Sequence, residues 1–270
     1  MEGKMIGFIG LGNMASAIIG GMLQKQVVTA QNIIGSDKTA ESRERAREKF
    51  NILTVLENAD VARRADILFL AVKPIFMEEV IAEIRDEVRT DTLVVSIAAG
   101  KDITFLQNAF GRSDCKLIRC MPNTPALVME GCTGVCANAN VSEEELNQVV
   151  TLLRSFGVAS IVPERLMDVV VGVSGSSPAY VFMFIEAMAD AAVSQGLPRQ
   201  MAYNICAAAV EGSALMVQKT GKHPGELKDM VCSPGGTTIE AVSSLEADGF
   251  RASIINDMAK CAEKSKKLTK

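Results

Sequence analysis

One histidine, His223, stands in the whole 270-residue sequence, and none of the seven cysteines belongs to a CxxC pair. A structural zinc needs about four Cys or His ligands at short spacings, so no metal is expected. Without a paired framework the cysteines read as reduced thiols of a cytoplasmic protein. An excess of positive charge is also missing, since 28 basic residues face 32 acidic ones for a net charge of −4. Nucleic acid and anionic membrane surfaces are therefore not expected partners. No uninterrupted apolar run reaches the roughly 18 residues of a membrane span. The opening MEGKMIGFIG lacks the cleavage pattern of a secretory signal. What remains is 48% hydrophobic with charges of both signs interspersed. That is a globular composition, long enough for one large or two medium domains with a sizeable core.

The most informative stretch is Lys4 to Gly21, KMIGFIGLGNMASAIIGG. Met5, Ile6, Phe8 and Ile9 make an apolar run that suits a buried strand and is too short for a helix. Gly10-Leu11-Gly12-Asn13-Met14-Ala15 follows, and then Ala17, Ile18, Ile19, Met22 and Leu23 recur at helical spacing. This is the strand–GxGxxA–helix turn of a dinucleotide-binding unit. Gly10 permits the tight turn, Gly12 lets backbone approach a pyrophosphate, and Ala15 keeps helix and strand close. The first N–H groups of the helix, at the positive end of its dipole, would hold the phosphate charge.

Further along, strands are expected at Asn32–Ser36, Ala65–Val72, Thr92–Ile97, Lys116–Met121, Thr133–Ala137 and Ala159–Val162. Helices are expected at Glu41–Phe50, Phe76–Val88 and Ser142–Phe156, the last opened by a Ser142/Glu145 capping box. The run Ala65–Val72 is apolar throughout, as a central parallel strand buried on both faces requires. Alternating strands and helices predict an α/β fold with a doubly wound, mostly parallel sheet. Ser36, Asp37 and Lys38 fall where the adenosine ribose would lie. A carboxylate there favours NAD, and a hydroxyl with a cation favours a 2′-phosphate, so the local chemistry reads both ways. The strand Ala65–Val72 ends in Lys73-Pro74, and small residues, Ala98-Ala99-Gly100, follow the end of the strand Thr92–Ile97 and permit close approach of a ligand.

At Pro163-Glu164 the character changes, and only helical patterns follow: Arg165–Val173, Ala179–Gln195, Pro198–Thr220 and Phe250–Leu268. The chain thus divides into a dinucleotide-binding domain, residues 1–163, and an all-helical domain, residues 164–270. Ala187, Ala191, Ala207, Ala208, Ala209 and Val210 give the helices wide apolar faces, which points to a second copy packed against them. The other expectation is an intramolecular bundle. In Ser233-Pro234-Gly235-Gly236-Thr237-Thr238 a turn with bare backbone leads into a helix, Ile239–Glu246. Free N–H groups and two hydroxyls suit a carboxylate, and they equally suit an ordinary helix cap.

The segment Leu227–Glu246 resembles the signature of the Δ1-pyrroline-5-carboxylate reductase family. The likeness continues through GFIGLGNM, Ala71-Val72-Lys73-Pro74, Met121-Pro122-Asn123-Thr124-Pro125, Val173-Ser174-Gly175-Ser176-Ser177-Pro178-Ala179-Tyr180 and His223–Asp229. It spans essentially the whole chain. The resemblance implies a Rossmann-like domain for NAD(P)H, NADPH preferred and NADH possible, followed by a helical dimerisation domain. It implies a homodimer or a higher assembly of dimers, with the active site shared between subunits. By position, Gly10, Gly12, Asn13 and Met14 would hold the pyrophosphate, and Ser36, Lys38 and Asn58 the adenosine end. Ala71, Val72, Lys73, Ala98 and Ala99 would line the nicotinamide side. Gly236, Thr237, Thr238 and Glu164 would bind the substrate, with the Thr238 hydroxyl facing its ring nitrogen. Met230 departs from the pattern, because some members carry Asn there.

The implied reaction reduces a cyclic imine to proline, the last step of proline synthesis. A protonated imine needs no strong acid from the protein, whereas ketone reduction needs a proton donor, commonly His or Lys. His223 precedes Pro-Gly in an expected turn and is a poor candidate. Two other readings are open. In a β-hydroxyacid dehydrogenase, a related architecture, a catalytic lysine would be expected where Tyr180–Met183 stand, with Lys73 as a substitute. A cofactor-sensing protein without turnover would leave Ser233–Thr238 unexplained.

Overall fold

The computed structural model describes residues 3–268. Two compact units form: the described residues up to Ser176 together with those from Cys261 onward, and Ser177–Lys260. The first unit holds one eight-stranded sheet. Its strands are β1 (Ile6–Ile9), β2 (Ile33–Ser36), β3 (Leu53–Val55), β4 (Ile67–Leu70), β5 (Leu93–Ser96), β6 (Lys116–Met121), β7 (Gly131–Ala137) and β8 (Gly157–Ile161). Their order is β3-β2-β1-β4-β5-β6-β7-β8. Every neighbouring pair is parallel except β6 and β7. The expected mostly parallel, doubly wound sheet is therefore present. From β1 the chain winds outward through β2 and β3, then returns to β4 on the other flank. That reversal parts the loops after β1 and β4 and opens a crevice at the carboxyl edge.

Helices α1 (Asn13–Gln24), α2 (Ala40–Phe50), α3 (Asn58–Arg64), α4 (Met77–Ile84), α5 (Ile103–Phe110) and α6 (Glu143–Leu153) cover the sheet. On one face Ile18, Ile19 and Met22 of α1 and Val149 and Leu153 of α6 pack over Phe8 and Phe69. Those two rings stack with centroids 4.8 Å apart. On the other face Val61, Ile81, Ile84 and Leu106 pack over Leu68, Leu70 and Val94. Strands buried on both faces need apolar residues at successive positions, which is why β4 reads Ile-Leu-Phe-Leu. The Ser142/Glu145 capping box forms as expected at the start of α6.

Two elements of this unit carry no periodic signal, β3 with three residues and the short helix α3; α5 lies beyond the expected elements although Ile103, Leu106 and Phe110 are buried at helical spacing. The helix expected at Arg165–Val173 is broken up. It runs as a 3-10 turn Glu164–Leu166, a short α7 (Met167–Val170) and a π-turn Val171–Gly175. There the Ser176 N–H reaches back to the Val171 carbonyl at 2.8 Å, one residue wider than an α-turn.

The second unit is helical throughout. It comprises α8 (Ser177–Ser194), α9 (Arg199–Thr220), α10 (Pro224–Val231), α11 (Thr237–Ala247) and α12 (Phe250–Leu268) up to Lys260. Helix α10 replaces the turn expected around His223. Pro224 opens it, and the His223 imidazole caps it by accepting the Gly225 N–H at 3.0 Å. The core of the unit is small, centred on Ala189, Ala202 and Cys206.

Candidate active site

At the end of β1 the chain turns through Gly10, whose φ is +94°. A Cβ there would lie 2.7 Å from the Ala71 carbonyl oxygen, so only glycine lets the ends of β1 and β4 lie this close. The Gly10 N–H donates to the Ser36 carbonyl, and the Ala71 N–H donates to that of Ile9, both at 2.8 Å. Gly12 caps α1 without any side-chain hydrogen bond, and no acidic residue stands in the first turn. A Cβ on Gly12 would meet nothing within 4 Å. The first N–H groups of α1, at Asn13 and Met14, thus open onto free space at the positive end of the helix dipole.

Asp37 is occupied by the protein itself. Its Oδ2 accepts the Leu11 N–H, and its Oδ1 accepts the N–H and the hydroxyl of Thr39, each at 2.9 Å. The carboxylate, whose direction the sequence left open, pins the glycine loop to the turn after β2. Ser36 is fully buried and donates its hydroxyl to Asn58 Oδ1 at 2.8 Å. The Asn58 amide in turn donates to Glu83 of α4. Lys38 Nζ pairs with Glu79 of α4 at 2.8 Å and lies 5.9 Å from the centre of the Phe76 ring. The hydrogen bond to Glu79, then that residue's charge, holds the Lys38 amine above its ordinary value.

Together these groups enclose a cleft of about 490 Å³. Gly10, Gly12, Lys38 and Asn58 line one side, and Ala71, Val72, Lys73 and Phe76 the other. Ser36 lies beneath it through Asn58. Ala98 and Ala99 follow β5, the sheet neighbour of β4, with Ala98 buried and Ala99 exposed. A two-glycine loop before an uncapped helix, a cation, an amide and a row of small residues fit a dinucleotide.

Glu164 stands beside the start of α5. Its Oε1 accepts the Ile103 N–H at 2.8 Å and lies 3.5 Å from a guanidinium nitrogen of Arg119. Arg119 is only 5% exposed, in the middle of β6. No sequence motif singles it out, although a single charge between Leu117-Ile118 and Cys120-Met121 is the signal that marks it. Burial, and then the charge of Glu164, push the neighbouring Cys136 thiol up to about 12.

In the second unit the turn Ser233–Gly236 delivers α11. Gly235 has φ +65°, and a Cβ on Gly236 would lie 2.3 Å from Ser233 Oγ. Gly236 caps α11 with no side-chain bond, leaving the N–H groups of Thr237 and Thr238 at an open helix end. Thr237 is exposed and Thr238 half-buried. Met230 is 62% exposed, and its sulfur lies 3.8 Å from Lys222 Nζ.

Two family models match the chain. Residues 5–100 match the NADP oxidoreductase, coenzyme F420-dependent, and residues 164–268 match pyrroline-5-carboxylate reductase dimerisation. A pyrroline-5-carboxylate reductase of Escherichia coli is 53% identical over 267 residues, covering 99% of each chain. That of Methanosarcina acetivorans is 42% identical over the full length of both. Among solved structures, the Plasmodium falciparum pyrroline carboxylate reductase with NADP bound aligns at a TM-score of 0.90 and 32% identity. The alignment covers all of both chains.

Proposed function

The chain belongs to the pyrroline-5-carboxylate reductase family, and from this we infer that it reduces 1-pyrroline-5-carboxylate to L-proline, the last step of proline synthesis. It is an oxidoreductase using NADPH, and we propose that NADH serves as a second, less favoured donor. The observation that carries this reading is the cleft at α1, where Gly10 and Gly12 leave an uncapped helix end open to a pyrophosphate.

In this reading Gly10, Gly12, Asn13 and Met14 hold the pyrophosphate through backbone N–H groups. Ser36, Lys38 and Asn58 hold the adenosine end, and Ala71, Val72, Lys73, Ala98 and Ala99 flank the nicotinamide. The bound cofactor supplies a hydride to the C=N carbon. Backbone N–H groups at Gly236, Thr237 and Thr238 hold the substrate carboxylate, and the Thr238 hydroxyl orients the ring nitrogen. Glu164 places a carboxylate near the protonated imine. The substrate arrives carrying its proton, so these groups act by orientation and electrostatics rather than as a strong acid.

By chain position residues 1–163 then carry the cofactor site and residues 164–270 the dimerisation and substrate functions, while residues 164–176 and those from Cys261 onward pack with the first unit. The exposed apolar surface of α8 supports a homodimer, since Phe182 and Met183 are 62% and 68% exposed. By length and composition alone the helical stretch Glu164–Ser194 would also suit a membrane span. The dimerisation model over the same residues supports a protein partner instead. We propose that the turn before α11 of one subunit completes the cleft of the other. All seven cysteines are free thiols, which supports a reducing, cytoplasmic location. NADPH oxidation with pyrroline-5-carboxylate, run beside 3-hydroxy acids, tests the activity. Turnover of the hydroxy acids without the imine would replace this reading with a β-hydroxyacid dehydrogenase.

A further inference from the structure

A buried guanidinium in the middle of a sheet is unfavourable unless something holds it there, since replacing a buried ion pair by well-packed apolar residues is often neutral or stabilising. Arg119 is 5% exposed. By register its flanking neighbours are Ser96 on β5 and Cys136 on β7, both small enough to leave room for the guanidinium. Ser96 in turn accepts the Ala98 N–H at 3.4 Å, so Arg119 lies one strand over from the strand end assigned to the nicotinamide side. The one hydrogen bond of its side chain among the described residues goes to Glu164 Oε1. That same oxygen accepts the Ile103 N–H, whereas Oε2 accepts no hydrogen bond from the described residues. The Glu164 side chain is 35% exposed. One oxygen is therefore anchored from two directions, and the other is left uncommitted on a side chain that is partly open to solvent.

We propose that Arg119 is a positioning residue for the reduction, fixing Glu164 by one carboxylate oxygen so that the other faces the protonated imine. The inference rests on the proposed role of Glu164 as a substrate-binding group. Arginine carries a fixed positive charge, so the pair sets a cation against one oxygen of Glu164. A carboxylate so held attracts an iminium and gives no advantage to a neutral ring. The Ile103 N–H alone would still tether Glu164, but from one side only, and the uncommitted oxygen would no longer be fixed in direction.

The test is a double-mutant cycle in the full-length enzyme, with kcat and KM measured for imine and NADPH. Glu164→Gln lowers kcat/KM for the imine about tenfold or more, in line with loss of a charged contact to the substrate. Arg119→Met lowers it by a similar factor, chiefly through KM for the imine, while KM for NADPH stays within about twofold. Combined, the two changes cost less than about threefold beyond either alone, because Arg119 acts through Glu164. Arg119→Lys keeps the charge with a single reach and restores part of the loss; it also reads the proposal should Arg119→Met not fold. Losses that multiply, an equal rise in KM for NADPH, or failure of both Arg119 variants to fold would make Arg119 a structural residue and overturn the proposal. Wild-type kinetics in Glu164→Gln would overturn it too. The reductase activity of the unaltered enzyme decides the proposed function separately.

Discussion

Helices α1 and α8 are both rich in apolar residues, yet they end in opposite situations. Six of the 12 residues of α1 are buried, whereas α8 buries only Ala189 among 18. The difference lies in what each helix meets. Helix α1 follows β1 through a two-glycine turn and lies at once on a sheet whose face is apolar. Helix α8 is paired with α9 through a small core of Ala189, Ala202 and Cys206, and its remaining apolar surface has no sheet to cover it. An apolar sequence alone therefore does not make a core. In the first unit the partner surface comes from the same chain, and for the second the match to a dimerisation model points to another copy.

The strongest way to break this contrast is to place charge on α8. With Phe182→Asp and Met183→Asp, light scattering at micromolar concentration should report monomer, and imine reduction should fall about a hundredfold or more. Two charges buried at an interface are costly to desolvate. The first unit should be untouched, so NADPH binding, read by quenching or calorimetry, should persist. A fully active monomer would remove both the dimer and the shared site.

Within the second unit, Thr238→Val separates a chemical role from a helix cap. As a cap-region residue alone, it would cost stability near ~1 kcal/mol and leave turnover intact. As the group facing the ring nitrogen, its loss should lower kcat roughly tenfold or more. KM for NADPH should hold, and carboxylate binding should survive on backbone N–H groups that valine retains.

In the first unit Lys38 tests the adenosine end. Lys38→Ala should reduce kcat/KM for NADPH by about three- to fivefold, the scale of an exposed charge contact. NADH should be affected less than about twofold. Glu79→Gln frees Lys38 from its pair and should move the ratio the other way.

The smallest effect concerns alkaline stability. Cys136 is pushed up to about 12 in the folded chain, while an unfolded thiol ionises near pH 8.5. Its contribution is complete below about pH 8.5 and is lost progressively as pH rises toward 12, because only the unfolded chain releases the proton. Thermal melts of Cys136→Ala should therefore decline less steeply between pH 9 and 11 than those of the parent.

Much of the first unit is legible in the residues. Strand β6 forms at Lys116–Met121, where the apolar run places it, and the glycine loop and the Ser142 capping box also form at the positions expected for them. The elements without a signal are those whose order comes from neighbours. Strand β3 has three residues and an exposed Leu53, and it exists because β2 offers it a hydrogen-bonding edge. Helix α3 carries four polar residues among seven, and its fold position depends on Val61 and Ala62 packing under the sheet. In the site, Asn58 and Glu164 enter only through family resemblance, because neither lies in a periodic or glycine-rich segment. The roles of Asp37 and Arg119 are hidden for a related reason: their partners are 26 and 45 positions away.

The sequence by itself determined the alternation of strands and helices, the glycine turn into α1, and the switch to helices at Pro163-Glu164. These follow from local spacing, from the conformational reach of glycine and proline, and from the run of apolar residues along each strand. Only the tertiary structure decided that the Asp37 carboxylate holds the glycine loop, that Lys38 is paired with Glu79, and that Arg119 reaches Glu164. Hydrogen bonds and ion pairs depend on distances of a few ångströms between distant parts of the chain, and those distances are set when the sheet assembles.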